Sequence, residues 1–207
     1  MVMTTGSAHA VDDGVRVLDE YRPLFPFATL KATCRPVFRS QAARDYACLL
    51  DLDPEVISWQ SMTYPITDVG AASGRHNVDF EVQTTTHAVI IDVCCGGHRT
   101  PAWLHGTLAE CGYRYHAVLP ADLNPVRVRN ARDLIRYARY EAFLGDRIRV
   151  LAALDELGSL SLAECLTAVR EGRAMQTIAS MILHGHIEVD LDDSLLGPDT
   201  IVRRCSE

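Results

Sequence analysis

Lysine is almost missing from this chain: Lys31 is the only one, against 19 arginines. Chemistry that needs a lysine ammonium therefore has one residue to draw on. No apolar run approaches the ~18 residues a membrane-spanning helix requires, so a membrane partner is not expected. Residues Met1 to Val11 lack a basic stretch followed by an apolar core, which speaks against a secretory signal. Paired cysteine spacing is missing too. The seven cysteines, at 34, 48, 94, 95, 111, 165 and 205, are odd in number and scattered, as in a reduced cytoplasm. A basic excess is also absent. The formal charge of −7 opposes bulk attraction to nucleic acid but leaves room for a local basic stripe. There is no G-x-S-x-G, P-loop or dinucleotide fingerprint, and no repeat or low-complexity tract.

What is present suits a protein with one ordinary domain and a smaller second one within 207 residues. Residues 1–13 are small and polar, and are expected to be disordered. A lead-in with one short strand near 28–34 precedes a helix over 41–52, with Ala42, Tyr46, Leu49 and Leu50 on one face. Asp53-Pro54 ends it, because a residue before proline resists helix. Strands are expected at 56–60 and 62–68, then a turn at 70–74 and a hairpin. Helix at 101–111, strand at 113–119 and a long helix from 124 to about 144 follow. Strands flanked by helices indicate an α/β core. The expected division is 14–144 and 145–207, the second part holding three helices and a two-stranded wing (187–191 with 200–203).

The hairpin is the most informative stretch. Strands 78–83 and 88–94 around the loop 84–87 pair residues whose numbers sum to 171, placing Val78, Phe80 and Val82 against Val93, Ile91 and Val89. A slip by one residue would bury carboxylates, so the pattern fixes the register. The other face sets Asp79 across from Asp92, with Glu81 and Cys94 beside them. Facing carboxylates repel unless a cation lies between them, and a divalent metal with oxygen ligands is a common one. The plain alternative is an amphipathic hairpin with its acids in water. Against that, Val89, Ile90, Ile91 and Val93 make the second strand apolar on nearly both faces, and an acid in a covered strand needs a partner.

In order, "RDYACLLDLDPEV" (44–56), "HNVDFEV" (76–82), "HAVIIDVC" (87–94) and "RNARDLIRYAR" (129–139), followed by a small winged-helix-like domain, resemble the TnsA-type endonuclease subunit of heteromeric transposases. The resemblance implies a restriction-endonuclease-like PD-(D/E)xK core, a mixed sheet flanked by helices, plus a winged-helix-like C-terminal domain. It implies Mg2+- or Mn2+-dependent cleavage of a DNA strand at transposon ends, alongside an integrase-type transposase and an ATPase regulator. On this reading Asp79 and Asp92 are the metal pair. Val78 stands where the family has proline, Asp92 where it has Glu or Gln, and Cys94 where it has its lysine. Ala43 stands at the helical acid, with Asp45 two residues along; Asp45 and Glu81 are further candidates for the metal. The candidate replacement cations are Arg99 and Lys31. These departures leave two readings, a divergent endonuclease and a non-cutting scaffold that binds DNA ends or partners.

Arg129, Arg132, Arg136 and Arg139 follow i, i+3, i+7, i+10, one face of a continuous helix suited to a phosphate backbone. A solvated face with pairs such as Arg129–Asp133 is the plain alternative. Residues 146–207 hold 6 arginines against 11 acids, which suits protein docking better than DNA reading. Cys94-Cys95-x-x-His98 lacks zinc-site spacing, and His184-Gly185-His186 reads as a helix end.

Overall fold

The computed structural model describes residues 28–68, 74–94 and 100–205. The expected disordered N-terminus, most of the turn at 70–74 and Arg99 lie outside them. By its contacts the chain divides into two units, one running from Lys31 to Leu123 and the other from Asn124 onward together with Ala28–Leu30.

The first unit is mixed α/β. Helix α1 (Gln41–Leu52) starts at Ser40, whose hydroxyl accepts the Ala43 N–H and satisfies an otherwise orphan donor. Strands β1 (Val56–Ser61), β2 (Ile66–Thr67), β3 (Arg75–His76), β4 (Phe80–Thr84) and β5 (Ala88–Val93) follow, then α2 (Ala102–Glu110) and β6 (Tyr113–Val118). The main sheet has the order β1-β4-β5-β6, antiparallel except for the parallel β5–β6 pair, which α2 connects. Strands β2 and β3 form a separate two-stranded sheet. In the register of β4 on β5, Phe80 faces Ile91 and Val82 faces Val89, as the apolar pattern dictates. Val78, expected opposite Val93, instead precedes β4 and packs with Ile90, Leu104 and Leu108.

Both faces of this sheet are covered. Phe80, Val82, Ile91 and Val93 pack with Phe38, Trp59 and the apolar side of α1. Ile90 and Val78 pack on the other side with Leu104 and Leu108 of α2. The continuous apolar run of β5 therefore matches a strand buried twice over. The expected strand at 28–34 shrinks to one bridge, Ala32 to Trp59.

The second unit holds α3 (Pro125–Ile135), α4 (Leu144–Leu157), β7 (Leu160–Ser161), α5 (Leu162–Ala168), α6 (Ala174–Leu183), β8 (Ile187–Val189) and β9 (Ile201–Arg204). Its sheet has the order β7-β9-β8, all antiparallel. One apolar core joins α4, α5 and α6 to that sheet through Val150, Leu154, Cys165, Ile178 and Met181. The long helix expected from 124 to 144 ends at Ile135, and residues 136–143 are not helical. After Ile135 the hydrogen bonds tighten to three-residue spacing, Tyr137 to Leu134 and Ala138 to Ile135, and the chain turns.

The division between units also falls about twenty residues before the expected boundary. Asn130 gives the reason: its amide donates to the Leu191 and Ser194 carbonyls while its Oδ1 accepts the Leu196 N–H. That ties α3 to the segment between β8 and β9. Helix α3 is opened by Asn124, which caps Val126 and Arg127, with Pro125 at the first helical position. Asn124→Ala is expected to destabilise this unit by about 1 kcal/mol, read as a lowered midpoint in urea denaturation.

Candidate functional site

Asp79 and Asp92 meet in space. Asp79 is the residue before β4; its N–H donates to the Ile91 carbonyl and its own carbonyl accepts the Met62 N–H. Asp92 lies on β5, one rung beyond the Phe80–Ile91 pair. They are 4% and 1% exposed, so neither acid is solvated by water.

The cation between them is a guanidinium. Arg39 donates from Nε to Asp79 Oδ1 at 2.9 Å and from Nη2 to Asp79 Oδ2 at 2.6 Å. The same Nη2 reaches Asp92 Oδ1 at 2.9 Å. Neighbouring packing puts it there. Phe38 is buried edge-on against Phe80, with ring centroids 6.3 Å apart, and the Val37 N–H donates to Ser61 Oγ at 3.1 Å. The chain is thereby pinned beside the start of β4, and Arg39 falls between Phe38 and the helix cap Ser40.

The remaining positions are filled as well. Asp79 Oδ2 also accepts the Val93 N–H at 2.8 Å. Asp92 Oδ2 accepts His76 Nε2 at 2.6 Å and the Tyr115 hydroxyl at 3.2 Å. Tyr115 in turn shares a hydrogen bond with Thr100 at 3.1 Å. Every carboxylate oxygen of the pair thus has at least one donor.

Burial is the largest single influence on both acids and pushes each pKa upward, but it prevails only at Asp79. For Asp79 it prevails over Arg39 and the Val93 N–H, leaving the carboxyl above its ordinary value. For Asp92 the His76 hydrogen bond and the Arg39 charge overcome it, and the net direction is down. Burial, together with the Asp92 carboxylate, pushes Tyr115 up to about 12, so its hydroxyl keeps its proton and donates. Burial opposes the charge on Arg39, but the two carboxylates hold it protonated.

Lys31 is not at this site. Its ammonium donates to the Asp53 carbonyl, at the C-terminal end of α1, whereas Arg39 precedes the N-terminal end. A helix of 12 residues separates the two ends by roughly 18 Å. Glu81 is held by Gln60 at 2.7 Å and Tyr113 at 2.8 Å, and Asp45 accepts from Gln41 one turn back on its own helix. Cys94 is buried, with its N–H donating to the Val118 carbonyl.

The residues present do not suit a divalent ion while Arg39 is in place, since it occupies three of the four oxygens and brings its own positive charge. Among the described residues, no group of three or more His, Cys, Asp or Glu side chains is gathered to hold a metal.

Arg129, Arg132, Arg136 and Arg139 are all exposed. They do not form one helical stripe: Arg136 caps the end of α3 and Arg139 lies in the turn beyond it. Arg136, not Arg129, pairs with Asp133, at 3.3 Å.

Sequence reasoning missed Arg39, His76 and Tyr115. The hairpin register demanded a cation near Asp79 and Asp92. Nothing local marks Arg39, which lies 40 and 53 positions away from them. Compared with known proteins, the chain matches no family profile, and no curated protein matches it. What the fold and the site define is a mixed α/β protein whose buried acidic pair is closed by an arginine.

Proposed function

We propose that this chain is a nuclease-fold subunit of the TnsA-like kind, serving a transposition complex as a scaffold that binds DNA ends or partner proteins and does not itself hydrolyse a strand. The observation that carries this reading is Arg39, which sits where a catalytic cation would and satisfies both carboxylates. Cys94 at the position of the family's lysine supports it, because a thiol supplies no positive charge to a scissile phosphate. The sequence of helix, three antiparallel strands, helix and parallel strand supports a restriction-endonuclease-like core. In the second unit, helix, strand, two helices and two strands with the order β7-β9-β8 support a winged-helix assignment. The partners this reading implies are DNA at transposon ends, an integrase-type transposase and an ATPase regulator.

The hydrolytic reading, with Mg2+ or Mn2+ on Asp79 and Asp92, requires Arg39 to leave both acids. A cleavage assay separates the two. Supercoiled plasmid and an end-labelled duplex carrying a transposon end are incubated with the chain, its partner subunits and either metal. The expected result is no strand break above background for wild type or for Asp79→Asn. A metal-dependent nick made by wild type and abolished in Asp79→Asn would overturn the scaffold reading.

A further inference from the structure

The second unit carries a cleft of about 310 Å³. Its floor is apolar, built from Leu134 of α3 and Ile178 and Ile182 of α6. Its lips are Met175 and Leu195, which are 48% and 44% exposed and so among the large apolar side chains that folding leaves in water. Arg129 and Arg136 stand on the rim, with Asp133 as the acid between them. The Arg136–Asp133 pair is exposed at 3.3 Å and so weakly held, and the two arginines and one acid leave the rim with one net positive charge.

We propose that this cleft docks a short amphipathic segment of a partner protein. One bulky aliphatic or aromatic side chain of the segment fills the space between α3 and α6, and acidic residues on either side of it pair with Arg129 and Arg136. Apolar anchors at helical spacing in a groove are a recurrent mode of peptide recognition, and a charged rim sets the partner's sign.

A protein fits these observations better than a nucleic acid. Phosphates call for exposed cations but not for an apolar floor. Helix α6, where a winged helix would read DNA, has no basic side chain within Ala174–Leu183 and buries Thr177 through Met181. Helix α3 also packs against it. The proposal deepens the scaffold reading by giving the partner's chemistry. The two fail separately, since this one is read by peptide binding and the other by DNA cleavage.

The test uses the full chain and a fluorescein-labelled peptide of about 14 residues, with leucines at i, i+4 and i+7 and glutamates elsewhere. Fluorescence anisotropy should show saturable binding to wild type. Binding should weaken about tenfold or more in Met175→Glu and in the Arg129→Glu/Arg136→Glu double variant. A peptide with lysines in place of the glutamates should bind more weakly. Leu195→Asp, on the opposite lip, repeats the apolar arm, and thermal melts by circular dichroism confirm that each variant folds. Equal binding of both peptides, no binding of the acidic one, or folded lip variants that bind like wild type each overturn the proposal. So does a short DNA duplex whose binding falls in the arginine variant but not in Met175→Glu, with no peptide bound.

Discussion

Arg39→Ala is expected to lower the stability of the first unit by about 3–5 kcal/mol, because it leaves two buried carboxylates without their shared cation. Both tryptophans, Trp59 and Trp103, belong to this unit, so tryptophan fluorescence in urea follows its unfolding. Arg39→Lys should recover only part of the loss, since a single ammonium cannot make the forked contact to Asp79 and also reach Asp92. Replacing all three charged groups together, Arg39→Met with Asp79→Asn and Asp92→Asn, should cost less than Arg39→Ala alone. The penalty lies in the unpaired charges more than in the lost contacts.

A second arm decides what the pair can hold. In Arg39→Ala the exposed need for positive charge should make Mn2+ raise the melting temperature, by the usual linkage of ligand binding to folding. Wild type should show no such rise. An equal rise in both proteins would mean that Arg39 yields its place readily, and the hydrolytic reading would return.

Asp146→Ala should produce a loss of similar size, about 3–5 kcal/mol, in the second unit. Asp146 is fully buried in the first turn of α4. It accepts the N–H groups of Arg170, Glu171 and Gly172, at 2.8, 3.1 and 2.6 Å, together with the Arg149 guanidinium. One carboxylate therefore shapes the loop between α5 and α6 and fixes it to α4. Circular dichroism in urea should register the change, while tryptophan fluorescence, which reports the other unit, should move far less. Asp146→Asn keeps an acceptor in place and should cost less.

The pH dependence of Asp146 has a definite sign. Burial alone would raise its pKa, but the loop N–H groups and Arg149 prevail and hold it far below the ordinary carboxylate range. The stabilisation is present above the unfolded value of about 4 and is lost as pH falls below it. The wild-type second unit should lose stability between about pH 5 and pH 2 more steeply than Asp146→Asn. Parallel acid titrations of the two proteins would sink the assignment.

The hairpin was legible because its alternation is local. Phe80 and Val82 find their partners, Ile91 and Val89, within about eleven positions along the chain, so their alternation sets the register. The same pattern gave the closeness of Asp79 and Asp92 and their need for a cation. The continuous helix through Arg139 was misread because the spacing of the arginines is helical while the backbone beyond Ile135 is not. Exposed arginines tolerate either conformation, so their spacing constrains the backbone weakly. The end of the first unit was misplaced for a related reason: Asn130 reaches carbonyls more than sixty positions away, which no window of sequence displays.

The amino-acid sequence by itself determined the sheet register, the buried acids and most element positions, because apolar periodicity acts between near neighbours. Only the tertiary structure decided which cation serves Asp79 and Asp92, and which unit owns the arginine helix. Those outcomes depend on Phe38 packing against Phe80 and on Asn130 meeting a distant loop, contacts set by how whole elements fit together. The physical reason is that a charge selects its partner by distance and desolvation in the finished fold, and neither is written in residue spacing.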